Sequence, residues 1–261
     1  MAKTTEELFH LVKKLDKTKV VCETESRGFA TPGGAPPAEI VVDATAGFIP
    51  LWHAGSVLRW RFQERSFALA DDPNASQAQV LELMSEALLR WGDAAPVKFT
   101  RDDDLWDFEV DLRNEPNCSQ GGCVLASAFF PDAGRHTLTI YPTMFEQVPD
   151  EQVETLIHEF GHVFGLRHFF ADVGEAAWPS EIFGTHDKFT IMNYGDDSML
   201  TDVDKSDLKE LYRSVWSGER VDINGTPIQL VRPYSAAALC GQEVASVVAG
   251  SSPAGARSSR Y

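Results

Sequence analysis

The run His158-Glu159-Phe160-Gly161-His162-Val163-Phe164-Gly165-Leu166-Arg167-His168 constrains this chain more than any other part of it. Residues four apart on an α-helix share a face and lie about 6 Å apart along the axis. His158 and His162 can therefore reach one metal ion from successive turns. Glu159, one step round from His158, can address a water at that ion without being a ligand. His168 falls off this face, so the chain must bend first. Gly165 stands where the bend is needed, because glycine tolerates positive φ. Three neutral imidazoles leave one position of a tetrahedral zinc open, which is the arrangement of a catalytic site. At about 100° per residue, Val153, Leu156, Ile157, Phe160 and Phe164 form an apolar stripe, and the two helical histidines point to the opposite side.

Downstream lies Thr190-Ile191-Met192-Asn193-Tyr194. With the histidine run, it resembles the metzincin clan of zinc endopeptidases, with their extended zinc motif and Met-turn. The resemblance implies an α+β catalytic domain: a twisted, mostly parallel sheet with an antiparallel edge strand, a zinc helix, a Met-turn and a C-terminal helix. It also implies one zinc held by His158, His162 and His168, with Met192 as the floor beneath them. Glu159 would be the general base that activates water against a peptide carbonyl. Tyr194 resembles the astacin and serralysin tyrosine that steadies the oxyanion. Phe169 follows the third histidine where matrixins carry Ser, astacins Glu and serralysins Pro, so the family within the clan stays open. Val57 to Phe62 resembles the first strand of a matrixin domain. Val124, Leu125, Ala126 and Ser127 resemble the edge strand along which matrixins and astacins extend their substrate. Residues 193–200 would line the pocket beyond the cleaved bond.

Other segments read from their own patterns. Asn74 to Gly92 is a helix, with Asn74 as cap, Gly92 as stop, and Val80, Leu83, Met84, Ala87, Leu88 and Trp91 at helical spacing. Trp106, Phe108, Val110 and Leu112 alternate with Asp107, Glu109 and Asp111, the period of a half-buried strand. Val124 to Phe130 and Thr137 to Tyr141 are further strands. Leu200-Thr201-Asp202 opens a closing helix with the stripe Leu208, Leu211, Tyr212, Val215 and Trp216. The chain divides into an N-terminal extension (1–54), a zinc metallopeptidase domain (55–217) and a C-terminal extension (218–261). The first holds a helix over 4–17, a Gly/Pro-rich connection from Glu23 to Pro37 and a strand at Ile40 to Val42. The last dozen residues of the chain lack apolar periodicity and read as flexible.

With 39 acidic and 23 basic residues the net charge is −16, which argues against nucleic acid and anionic membranes as partners. A polypeptide substrate and a monomer are expected. Asp102-Asp103-Asp104 fits a solvated loop or part of a calcium site, and His136 reads as an exposed loop residue. No stretch is long enough to span a bilayer. Met1 to Val20 lacks the apolar core of a secretory signal, so the chain reads as cytoplasmic by default. Non-classical export, or origin in a longer secreted precursor, are the alternatives. Four cysteines permit three pairings. Cys118 could close a small loop with Cys123 and Cys22 could join Cys240, or all four could stay thiols. The residues around Cys22 do not match the cysteine switch of matrixin zymogens. Two rivals to an endopeptidase stay open: a catalytically idle zinc-binding scaffold, and a zinc hydrolase of non-peptide amides. The presence of Glu159 speaks against the scaffold.

Overall fold

The computed structural model describes residues 20–21, 40–44, 47–119, 122–168, 180–183, 191–192 and 198–239. The expected helix over 4–17, the connection from Glu23 to Pro37, Cys22, Cys240 and Tyr194 lie outside them.

Strands and helices are numbered in chain order. The central sheet contains β4 (Val57–Phe62), β5 (Lys98–Arg101), β6 (Phe108–Leu112), β9 (Ala126–Ser127) and β10 (His136–Ile140). Their order is β5-β4-β6-β10-β9. Every pairing is parallel except β9 with β10, which is antiparallel. The expected mostly parallel sheet with an antiparallel edge strand is therefore present. Along β4, Leu58, Trp60 and Phe62 are buried in strict alternation, as the pleat requires of a strand with one face on the core. A parallel neighbour needs a long crossover, and α1 (Glu64–Phe67) and α2 (Pro73–Trp91) supply it between β4 and β5.

α2 buries Val80, Leu83, Met84, Ala87 and Trp91. Its cap is Asp72 rather than Asn74: the Asp72 carboxylate accepts from Ala75 N–H at 3.0 Å. Proline disfavours helical backbone in the residue before it and suits the first helical position itself, so the helix starts at Pro73. Gly92 ends it at φ 58°. α2 packs on α3 (Pro149–Val163), and Trp91 meets Phe164 edge-on with ring centroids 5.4 Å apart. α4 (Asp202–Trp216) opens with a full capping box: Thr201 accepts from Asp204 N–H, and the Asp204 carboxylate accepts in return from Thr201 N–H. This satisfies two helix-end groups at once.

Three small sheets surround this body. β1 (Val20–Val21) pairs with β8 (Gly122–Val124), which also pairs with β7 (Asn117–Ser119); β2 (Ile40–Asp43) pairs with β11 (Ser180–Phe183). β3 (Ile49–Trp52) pairs in parallel with β13 (Thr226–Val231), and β13 pairs with β12 (Asp222–Ile223). Cys118 and Cys123 are joined by a disulfide across the β7–β8 hairpin.

Several local expectations change. The segment from Val124 to Phe130 is two short strands in different sheets, because Val124 pairs with Val21 and Asn117 whereas Ala126 and Ser127 pair with β10. Asp107 is buried instead of solvent-facing; it accepts from Arg59 N–H at 2.7 Å and from the N–H and hydroxyl of Ser235 at 2.7 and 2.9 Å. His136 opens β10 and stacks on Phe129 with ring centroids 4.4 Å apart. The Asp102 carboxylate accepts from the backbone N–H groups of Leu105 and Asp104 and pairs with Arg59. Those bonds, led by Leu105, hold its pKa below the ordinary value and commit it to a turn. No helix among the described residues is long and apolar enough to cross a membrane.

Candidate metal centre

α3 starts at Pro149 with Asp150 and Glu151 in its first turn, where negative charge complements the helix dipole. Val153, Leu156, Ile157 and Phe160 are buried, as the stripe predicts. The opposite face is buried as well: every residue from 156 to 168 is shielded from solvent.

The end of α3 is a Schellman motif. Leu166 N–H donates to Gly161 O at 2.9 Å, and Gly165 N–H donates to His162 O at 2.8 Å. Gly165 carries the positive φ, +92°, that this closure demands. A Cβ there would also stand 3.2 Å from Leu51 Cδ2 and 3.4 Å from the Pro50 carbonyl. The bend anticipated from the sequence is thus a tight reversal against β3, and it delivers His168 back beside the helix.

The three imidazoles converge. His158 Nε2 lies 3.1 Å from both His162 Nε2 and His168 Nε2, and the three side chains offer donor atoms all within 4.8 Å of one another. Nitrogens about 2.0–2.1 Å from a tetrahedral zinc lie about 3.3 Å apart, so the trio fits this ion. The outer nitrogens explain its orientation. His158 Nδ1 donates to Ile191 O at 2.8 Å and His162 Nδ1 to Leu166 O at 2.8 Å. Each bond fixes the tautomer that leaves Nε2 as an acceptor facing inward. Burial, reinforced by His168, pushes the His158 pKa down to about 3. Burial also takes His162 well below its ordinary value, with His158 and His168 adding to the effect. Both rings are therefore neutral at pH 7, the form that binds metal.

Glu159 is 2% exposed and adjoins His158 on the helix. Met192 is buried and packs against Gly161, where a Cβ would collide with its sulfur. That glycine carries no signal of its own in the sequence: it lies inside the motif at a position where helical periodicity assigns no role. Ala126 and Ser127 form the edge strand β9, which has no second strand neighbour among the described residues. Leu125 O accepts from Tyr141 N–H at 2.9 Å, and Val124 is flanked on both sides by β1 and β7. Of the four expected substrate-strand residues, Leu125, Ala126 and Ser127 follow one register against 139–141, and Val124 lies between two other strands. Phe130, just beyond them, places its ring edge-on to His162, centroids 5.5 Å apart.

Residues 59–176 match the matrixin family of peptidases. That match takes in the zinc-type histidine run and covers somewhat less than half of the chain. The chain is 31% identical over 122 residues to stromelysin-3 of Homo sapiens, a match that covers 42% of this chain and 25% of that protein. It is 29% identical over 123 residues to stromelysin-3 of Xenopus laevis, covering 42% of this chain and 26% of that protein. The chain thus spans about a quarter of the length of these relatives. Among solved structures it is similar to myroilysin, at 16% identity with a TM-score of 0.45, covering 66% of this chain and 98% of that one. It is also similar to high choriolytic enzyme 1, a hatching enzyme zinc-protease from Oryzias latipes. That likeness has 11% identity and a TM-score of 0.41, covering 66% of this chain and 92% of that one.

Proposed function

We propose that this protein is a metzincin-type, zinc-dependent endopeptidase that hydrolyses internal peptide bonds. The observation that carries the reading is the trio of buried histidines, with Nε2 atoms turned to one point and two Nδ1 atoms tied to backbone carbonyls. Bound there by His158, His162 and His168, zinc would supply a Lewis acid and make water a nucleophile near pH 7. Glu159 takes the proton of the attacking water and passes it to the leaving amine nitrogen as the C–N bond breaks. Tyr194 donates to the oxyanion that develops on the carbonyl. An extended peptide adds to the sheet beside Ala126 and Ser127, because an edge strand offers unpaired backbone groups to a chain of any sequence. Residues 193–200 line the pocket for the side chain that follows the cleaved bond.

The test compares wild type with Glu159→Gln on casein, with zinc content measured in both. Wild type is expected to produce internal fragments, and a chelator to stop it. The variant is expected to keep zinc and lose activity. Equal activity in the variant would refute the role of Glu159, and failure of zinc-loaded wild type to cut any polypeptide would refute the endopeptidase.

A further inference from the structure

Outside the trio of imidazoles, the end of α3 is gripped by side chains from two distant elements. The Tyr212 hydroxyl, on α4, donates to Phe164 O at 3.0 Å and accepts from Trp52 N–H at 3.3 Å. The Trp52 indole N–H donates to Val163 O at 2.7 Å. Trp216 then holds Trp52 from the other side, its indole N–H donating to Trp52 O at 2.9 Å. Tyr212 and Trp52 are both almost wholly buried, so these bonds lie out of competition with water. Val163 and Phe164 are the last residues before the Gly165 reversal. The carbonyl that orients His162 belongs to Leu166, one residue past it, and His168 follows two residues later.

We infer that the Tyr212 hydroxyl is a positioning group of the metal centre, acting with Trp52 through the Val163 and Phe164 carbonyls. The pair fixes the direction in which the chain leaves α3. That direction sets where Leu166 O meets His162 Nδ1 and where His168 presents its ring. Tyr212 touches no ligand and no substrate; its effect passes entirely through the backbone of the turn. The inference rests on the reading of His158, His162 and His168 as a zinc site.

The test is Tyr212→Phe in the full chain, which removes one oxygen and keeps the ring packed against Trp216. Zinc affinity is measured by competition with a chromophoric chelator, and ligand geometry by the visible spectrum of the cobalt-substituted protein. The expected result is a loss of affinity of about tenfold or more, the usual effect of removing support behind a ligand, with a changed cobalt spectrum. Thr201→Ala is the control. It weakens the same helix by removing its cap and is expected to keep wild-type affinity and spectrum. If Y212F does not yield folded protein, Trp52→Phe, which removes the donor to Val163 O, is read the same way. Wild-type affinity and spectrum in the folded variant would overturn the inference, whatever its melting temperature. Failure of wild type itself to bind zinc would instead overturn the metal site.

Discussion

Met192 packs so closely on Gly161 that a Cβ added to this glycine would fall on the methionine sulfur and stand 3.2 Å from its terminal methyl. A helix residue and the turn expected beneath the metal are thus fitted to each other. His158 Nδ1 donates to Ile191 O, next to Met192, so a shift of the methionine also disturbs the first ligand. Gly161→Ala is expected to destabilise the fold by about 1–3 kcal/mol, the usual range for overpacking, and to weaken zinc binding. In a double-mutant cycle with Met192→Ala, measured by urea unfolding, the two costs should fall short of additivity by more than about 0.5 kcal/mol. Simple additivity would show that the contact is not felt.

Acid should unfold the metal-free protein in a defined window. His158 is held at a pKa of about 3 by burial, whereas an unfolded chain protonates histidine near its ordinary value of about 6.5. Between these values the unfolded state binds the proton and the folded state does not. Stability therefore falls as pH drops from about 6.5 towards 3, and this contribution levels off below it. His162 acts in the same direction. Denaturant titrations of metal-free protein across this range check the slope, and His158→Phe should reduce it. At the folded site protons should compete with zinc for the His158 Nε2 only as the pH approaches 3.

Asp107 clamps the chain beyond α4 to the central sheet through both Ser235 bonds. Asp107→Asn replaces one acceptor oxygen by a donor opposite two donors. Hydrogen bonds to a buried charged group are worth about 1.5–3 kcal/mol, and a loss of that order is expected in urea unfolding. Limited proteolysis should then cut within 218–239 sooner than in wild type.

Thr201→Ala removes one half of the capping box of α4. The expected cost is about 1 kcal/mol, read as a lower urea midpoint with an unchanged m value.

What could be read in the sequence was what is local. The spacing of His158 and His162, the glycine that reverses the chain before His168, the α2 stripe and the cap at Thr201 each lie within a few residues of what they control. Contacts across the chain left no such trace. Trp52 reaches Val163 O over 111 residues and Tyr212 reaches Phe164 O over 48, and no periodicity marks an indole or phenol as a donor to a helix end. Asp107 reads as solvent-facing because its neighbours alternate, and Ser235, 128 residues away, closes over it. β13 leaves no mark in the sequence because it is scarcely buried, so its residues carry little of the apolar alternation by which strands are recognised. The segment from Val124 onward reads as one continuous strand because nothing in its composition signals the change of partner at Leu125.

The central claim is that three imidazoles, through Nε2, hold one zinc. X-ray absorption on the zinc-loaded protein, with metal content measured in the same sample, addresses it most directly. One zinc per chain with a shell of three imidazole nitrogens at about 2.0–2.1 Å, completed by a light atom, is the predicted result. Sulfur in the shell, fewer than three imidazoles, or folded protein that takes up no zinc would contradict it.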